Sequence, residues 1–164
     1  MKTKALVSIV VLVLAVSIIA GSCATTPKTQ EKEGAKQEAL FKAIQNFDYD
    51  EVKKLIEEGA DVNARCSRGR TPLMWAAGWS SPDVVKLLIE AGADINAKSE
   101  KEGQTALLIL ASSGFDYYYE IVEILIEEGA NINAQDDNGY TALMYAEEQG
   151  LTEIAKLLKE AGAK

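Results

Sequence analysis

The sequence contains no histidine among its 164 residues. This excludes histidine metal ligands, histidine general bases and the catalytic arrangements in which histidine activates a serine or a cysteine. The two cysteines, Cys23 and Cys66, are too few for a zinc site or a disulfide framework. An excess of basic residues is also missing, because the net charge is −8. We therefore expect no metal, no cofactor and no nucleic-acid partner.

The remaining composition is that of an ordinary folded chain. Hydrophobic residues make up 48% of the sequence and charged residues 26%, which are typical values for a soluble domain. The length allows one domain with a tail.

The amino terminus differs from the rest of the chain. Two lysines precede an apolar run over residues 5–20, and small residues follow it up to Cys23. This order is typical of an export signal, and the run is short for a helix that spans a bilayer. The segment Ala20-Gly21-Ser22-Cys23 resembles the lipobox of bacterial lipoproteins, although Ala20 replaces the usual Leu. The resemblance implies a signal peptide over residues 1–22 and lipidation of Cys23.

Other fates of this terminus stay open. Signal peptidase could cleave it and leave Cys23 without lipid, so that the protein is secreted to the periplasm. The apolar run could remain as an uncleaved membrane anchor, or it could be a buried helix of a cytosolic protein. We expect a lipid-anchored protein of the bacterial cell envelope, and Ala24 after the cysteine favours the outer membrane. Residues 23–36 contain no large apolar side chain and are expected to form the lipidated cysteine and a flexible linker.

The rest of the chain repeats itself. Gly-Ala pairs begin at residues 59, 92, 129 and 162, which are 33, 37 and 33 residues apart. An apolar pattern with helical spacing precedes each pair. Second apolar segments begin at Thr71-Pro72-Leu73 and at its two counterparts, where the threonine is suited to capping a helix. The glycine of each Gly-Ala pair is expected to end a helix in the left-handed conformation.

These motifs resemble the ankyrin repeat family. The resemblance covers residues 37–164 and implies an all-α solenoid of stacked antiparallel helix pairs with projecting β-hairpin-like loops. Four repeats are expected, at about 37–64, 65–97, 98–134 and 135–164. The family's histidine after Thr-Pro-Leu is Met74, Leu108 or Met144 here, so its hydrogen bonds cannot be carried over. Polar residues at outward positions of the terminal repeats, such as Glu147 and Lys159, lead us to expect a complete array that is a monomer.

The resemblance also implies a partner-binding face made of the loop tips and the first helix of each repeat. Trp79 beside the arginines of the second repeat is the strongest indication of a contact surface. Trp75, four residues earlier, is expected to pack in the core instead. The basic tips favour a partner with acidic features. The expected contact residues are Arg65, Ser67, Arg68, Arg70, Trp79, Lys98, Lys101, Gln104, Ser113, Gln135, Asp137, Asn138, Tyr140 and Gln149.

The third repeat carries an insertion with three consecutive tyrosines, Tyr117, Tyr118 and Tyr119. They form a possible second contact loop, since tyrosine is favoured at interfaces, although one or two of them could pack back onto the helices. Cys66 lies among arginines, which favour a reactive thiolate, but we interpret it as an ordinary turn residue.

Three classes of function remain for such a chain. The expected one is a protein-binding module of the bacterial envelope that performs no catalysis. The second is a structural or protective envelope factor without one defined partner. The third is an enzyme that uses surface carboxylates, which no motif for a nucleophile or a phosphate-binding loop supports.

Overall fold

Short helices alternate with turns in residues 27–79 and 81–164, the part of the chain that the computed structural model describes. No strand forms within this part, and an isolated β-bridge joins Gln135 to Thr141. A short 3-10 helix, Asp116–Tyr118, precedes the second helix of the third repeat. The α-helices are α1 (Pro27–Gln45), α2 (Tyr49–Glu57), α3 (Pro72–Gly78), α4 (Pro82–Glu90), α5 (Ala106–Ser112), α6 (Tyr119–Glu127), α7 (Ala142–Glu148) and α8 (Thr152–Glu160).

The chain divides into two compact units, residues 1–34 and 35–164. In the first unit the structure describes residues 27–34, which begin α1. The predicted signal peptide, residues 1–22, and the predicted lipidation site, Cys23, lie outside the described residues. Within the described part, no helix has both the length and the mean hydropathy that are needed to cross a bilayer.

The first helix begins earlier than the sequence analysis predicts. Residues 27–36 belong to α1, whereas the analysis places them in a flexible linker. Proline at position 27 is compatible with the first turn of a helix, and the following Lys, Gln, Glu and Ala residues are good helix formers. The absence of large apolar residues predicts a linker here, but helix propensity does not require apolar residues.

Threonine caps start the first helices of the second to fourth repeats. The hydroxyl oxygens of Thr71, Thr105 and Thr141 accept hydrogen bonds from backbone N–H groups three residues later, at 3.3–3.4 Å. Each bond satisfies a donor that the helix itself leaves unpaired. The capping role predicted for Thr71 is therefore confirmed.

Glycine ends the second helix of each repeat as predicted. Gly59 has a φ of 83°, and Gly92, Gly129 and Gly162 have similar values. The N–H of Gly59 donates to Ile56 O, and the N–H of Ala60 donates to Leu55 O, which is the bonding pattern of a helix end with a left-handed residue. The chain then turns away from the helix toward the next hairpin-like loop.

The helices stack in two series. The first helices α3, α5 and α7 pack against one another in order, and the second helices α2, α4, α6 and α8 do the same. Alanines at Ala76, Ala111 and Ala146 are fully buried and allow the two series to approach closely. Leucine and isoleucine side chains from both series form one continuous core, each stabilising the fold by about 1.5–3 kcal/mol. The predicted all-α repeat solenoid is confirmed.

Candidate functional site

The hairpin-like loops that precede the first helices are closed by their own hydrogen bonds. Cys66 N–H donates to Arg70 O, Ser99 N–H to Gln104 O, and Asp136 N–H to Tyr140 O, at 2.8–3.1 Å. Each loop therefore presents its tip as a fixed turn. We call these segments, residues 66–70, 99–104 and 136–140, the tip loops.

Neighbouring tip loops are also bonded to one another. Glu100 N–H donates to Gly69 O, and Asp137 N–H donates to Glu102 O, both at 3.2 Å. A Cβ atom on Gly69 would lie 2.6 Å from Glu100 Cβ, so the loops could not approach this closely with a larger residue there. The three tip loops thus form one continuous edge.

Several predicted contact residues connect the repeats. Arg65 donates to Gly69 O at 2.8 Å and to Lys98 O at 2.7 Å, and it lies 3.8 Å from a Glu100 carboxylate oxygen. Lys98 Nζ donates to Gln135 O at 2.7 Å. These side chains hold tip loops together, so their hydrogen-bonding groups are partly occupied before any partner binds.

The positive charge of the second repeat is partly neutralised. Arg70 pairs with Glu102 at 3.2 Å, in addition to the pair between Arg65 and Glu100. Both glutamates belong to the following repeat, so the sequence alone does not predict these pairs. Arg68 and Lys101 are exposed, and their side chains make no ion pair or hydrogen bond within the described residues.

A groove of about 220 Å³ connects the first tip loop to the far end of α3. Arg68 and Arg70 line it at the tip, and Trp79 lines it at the other end. The groove thus combines guanidinium groups with an aromatic surface. Its lining residues are Arg68, Arg70, Met74, Trp75, Gly78 and Trp79.

The two tryptophans occupy different environments, as the sequence predicts. Trp75 is half-buried against the core, where its ring meets Phe41 of α1 edge to face at 6.0 Å. Trp79 is 42% exposed. The two indole rings stack with their centres 6.3 Å apart, and Phe47 contacts Trp79 edge to face at 6.2 Å. Sequence reasoning missed Phe41 and Phe47, since both lie in the first repeat.

Cys66 is bonded into the same region. The Trp75 Nε1–H donates to its sulfur atom at 3.3 Å. Burial acts to raise the pKa of the Cys66 thiol, but the hydrogen bonds from Trp75 and from the backbone at Arg70 and Arg68 outweigh it and lower that pKa. Cys66 is a free cysteine whose position is that of a turn residue.

The last tip loop is built around a buried carboxylate. Asp136 is 6% exposed, and it accepts hydrogen bonds from Tyr145 OH at 2.6 Å and from the N–H groups of Asn138 and Tyr140 at 2.9 Å. Burial acts to raise the pKa of Asp136, but these bonds hold it below its usual value. The hydrogen bond to this carboxylate, together with burial, raises the pKa of Tyr145 to about 12. Asp136 therefore shapes the loop, and of the acidic pair at this end only Asp137 is exposed.

The other predicted contact residues differ in accessibility. Tyr140 is partly exposed, with its ring 5.0 Å from that of Tyr145. Ser113 is half-buried and donates to Leu110 O at 2.6 Å, which ties its hydroxyl to its own helix. Gln104 is also half-buried. Exposed positions are Ser67, Gln135, Asn138 and Gln149.

The tyrosine insertion does not act as one exposed loop. Tyr118 is 5% exposed, and its hydroxyl donates to Gly78 O at 3.1 Å. Of the two alternatives left open for these tyrosines, Tyr118 follows the one in which a tyrosine packs back onto the helices, here against the second repeat. Tyr117 is 63% exposed and Tyr119 is partly exposed, and Phe115 lies beside Tyr117 with ring centres 5.1 Å apart.

The side-chain amides of a recurring asparagine join successive repeats through backbone hydrogen bonds. Each asparagine lies between the end of a second helix and the next tip loop. Asn63 Nδ2 donates to Gly92 O at 3.1 Å, and its Oδ1 accepts from Asp94 N–H at 2.7 Å. Asn96 makes the corresponding bonds to Gly129 O and to the N–H of Asn131. The recurrence of this asparagine at the repeat period was visible in the sequence, but its bridging role was not predicted.

No group of three or more potential metal ligands occurs within residues 27–79 and 81–164. The candidate site consists of a hydrogen-bonded polar edge and an adjoining aromatic groove on the first helices. Its arrangement is suited to contact with another macromolecule.

Comparison with known proteins agrees with this architecture. A family model described as ankyrin repeats, in three copies, matches residues 12–99 and 97–164. No curated protein matches the chain. The chain belongs to the ankyrin repeat family, whose repeats form protein–protein interaction modules.

Proposed function

We propose that this protein binds another protein through the tip loops and the groove beside α3, and that it performs no catalysis. The observation that carries the proposal is the groove itself, where Arg68 and Arg70 lie at one end and Trp79 at the other. Arginine and tryptophan are the residues most enriched at interface positions that contribute strongly to affinity. The bonded tip loops support the proposal because a fixed surface loses little conformational entropy on binding.

The chemistry of the groove favours a partner segment with a carboxylate next to an apolar side chain. The exposed guanidinium of Arg68 is suited to paired hydrogen bonds with a carboxylate, and Trp79 is suited to contact with an apolar or aromatic residue. Arg70 is paired with Glu102, so an acidic residue of the partner would compete for it.

The protein is further proposed to act in the bacterial cell envelope, held to a membrane by lipid on Cys23. The support comes from residues 1–24, where lysines, an apolar run and small residues precede the cysteine. Several acyl chains on one residue are sufficient for stable anchoring. Secretion to the periplasm and anchoring by an uncleaved apolar segment are the alternatives.

Crosslinking in cells from position 79 tests the binding proposal. A photoreactive amino acid in place of Trp79 should yield a discrete set of adducts, identified by mass spectrometry. The same residue at position 86, exposed on the second helix α4, is the control and should give none of them. Equal adducts from both positions would favour an envelope factor without one defined partner.

A further inference from the structure

The turns between the two helices of each repeat form a second edge, at the opposite end of the first helices from the tip loops. Helix α3 begins next to the first tip loop and ends at Gly78, one residue before Trp79. The turns contact one another from repeat to repeat. Phe47 meets Trp79, Tyr118 OH bonds to Gly78 O, and a Cβ on Gly114 would lie 3.4 Å from the Gln149 side-chain oxygen.

Exposed aromatic rings line this edge over three repeats. Phe47 is 55% exposed, and Phe115 and Tyr117 form a stacked pair that is open to solvent. Trp79 lies where the edge meets the groove described above. Large exposed aromatic residues are characteristic of surfaces that bind macromolecules rather than of surfaces that remain in water. We call this surface, built on residues 46–51, 113–120 and the Trp79 ring, the aromatic edge.

The charge in the turns of this edge has a single sign. The turns and the first residues of the helices that follow, residues 46–51, 79–83, 113–120 and 149–153, contain no Lys or Arg. Exposed carboxylates flank the rings, with Asp48 and Asp50 near Phe47, and Asp116 next to Phe115. The first tip loop, at the other end of the first helices, carries Arg68 and Arg70, so its charge is opposite to that of the aromatic edge.

We propose that the aromatic edge is a docking surface for a Lys- and Arg-rich segment of a second protein. Cationic side chains bind over the faces of exposed aromatic rings, and carboxylates beside the rings accept hydrogen bonds from the same groups. The net charge of −8 attracts such a segment over a longer range. An acidic or neutral segment would gain neither contact. A second copy of this chain is less suitable, since two chains of this charge repel each other.

Phe47 offers a variant that removes a ring without disturbing its turn. Its φ is 58°, a conformation that a bulky residue rarely adopts. Gly150 takes a φ of 72° in the corresponding turn of the fourth repeat. Phe47→Gly should therefore keep the backbone of the turn and remove the ring. Tyr117→Ala removes a ring that is 63% exposed, so it should also leave the fold intact.

The test measures binding of a fluorescein-labelled peptide, in which Arg alternates with Ala, to the full-length chain by fluorescence anisotropy. A peptide with Gln in place of Arg is the reference and should bind much more weakly. Phe47→Gly and Tyr117→Ala should each weaken binding of the Arg peptide by about fivefold, although they change no charge. Their thermal midpoints should stay close to that of the unsubstituted chain.

Charge variants separate this edge from general attraction to an acidic protein. Asp116→Asn should weaken binding more than Glu57→Gln, which removes the same charge from an exposed position on α2. Arg68→Glu, which disrupts the groove of the proposed function, should leave the peptide bound, so the two proposals can fail separately. Equal effects of Asp116→Asn and Glu57→Gln, or unchanged binding by both ring variants, would overturn the proposal. Self-association that Tyr117→Ala abolishes, without peptide binding, would also overturn it.

Discussion

Asn63 accepts a hydrogen bond from the backbone N–H of Asp94 at 2.7 Å, across the boundary between the first and second repeats. The same side chain donates to Gly92 O, so one amide satisfies two backbone groups of the following repeat. Asn96 repeats the arrangement one repeat later. In a stack where each repeat contacts only its neighbours, such bonds contribute directly to the stability of the interface between repeats.

The first prediction concerns this asparagine series. Asn63→Ala and Asn96→Ala should each lower the free energy of unfolding by about 1 kcal/mol, because backbone groups of the next repeat lose their partners. Chemical denaturation followed by circular dichroism measures the change. Asn46→Ala is the control, since Asn46 is exposed and its side chain makes no hydrogen bond among the described residues. An equal loss in the control would contradict the bridging role.

The second prediction concerns the pH dependence of stability. The pKa of Asp136 is lowered in the folded state, so its contribution is present above the unfolded pKa and is lost as the pH falls through the folded value. Tyr145→Phe removes one hydrogen bond to this carboxylate. The pKa of Asp136 should rise toward its unfolded value, so the variant should be less stable at neutral pH and should lose less stability on acidification.

Tyr140→Phe is the control for that experiment, because Tyr140 bonds to Asp136 through its backbone N–H. Its acid denaturation curve should match that of the unsubstituted chain. At alkaline pH the free energy of unfolding depends on pH in the opposite direction. The pKa of Tyr145 is raised from 10.0 to about 12, so stability should fall as the pH rises from 10 toward 12, and Tyr145→Phe should remove this loss. Identical acid curves for all three proteins would show that the bond does not matter.

The third prediction distinguishes the three tyrosines of the insertion. Tyr118→Phe removes the hydrogen bond to Gly78 O and should lower the free energy of unfolding by about 0.5–1.5 kcal/mol. Tyr119→Phe should change it by much less, because Tyr119 is exposed and its hydroxyl makes no hydrogen bond within the described part of the chain. Thermal unfolding of both variants checks the difference. If the two midpoints are equal, Tyr118 does not attach the insertion to the second repeat.

Local features of the fold could be predicted from the sequence, whereas contacts between repeats could not. The threonine caps and the glycine helix ends depend on a few consecutive residues, so the motif around Thr71 or Gly59 is sufficient to predict them. The pair between Arg65 and Glu100 and the bond from Lys98 to Gln135 depend on how adjacent loops align. Phe47 was missed because its contact with Trp79 joins residues of different repeats.

Residue composition also fails to predict the local structure at two places. The stretch before residue 37 lacks large apolar side chains, yet residues 27–36 are helical, and most of them are good helix formers. Asp136 is an ionisable residue, yet hydrogen bonds from Tyr145 and the backbone allow it to be buried. Charge and polarity alone do not reveal a partner that lies elsewhere in the fold.

The fourth prediction concerns the proposed lipid anchor. Cys23→Ser should abolish labelling of the protein by a radioactive fatty acid and release it from the membrane fraction. Ala20→Glu, which disrupts the resemblance to a lipobox while keeping the cysteine, should have the same effect. Membrane retention by Cys23→Ser would support an uncleaved apolar anchor instead. Release of the unsubstituted protein into the periplasm would support cleavage without lipidation.

The fifth prediction concerns the groove between the first tip loop and α3. Trp79→Ala should weaken binding of a partner captured by crosslinking by about tenfold or more, since a half-exposed tryptophan at an interface typically contributes over 1 kcal/mol. Arg68→Glu should weaken it similarly, because it replaces an exposed cation with an anion. Isothermal titration calorimetry with the purified partner measures both effects.

Lys86→Glu is the control for the charge reversal, since Lys86 is exposed on the second helix α4 and lies away from the groove. It should bind the partner as the unsubstituted chain does, and all three variants should retain the circular dichroism spectrum of the repeat fold. The Trp79 ring contacts Trp75 and Phe47, so its removal also tests whether the aromatic contacts support the groove. If Arg68→Glu and Trp79→Ala both bind normally, the partner contacts another face. The groove combines the Arg68 guanidinium with the Trp79 ring. Among the described residues that line it, no other exposed cation lies beside an exposed ring.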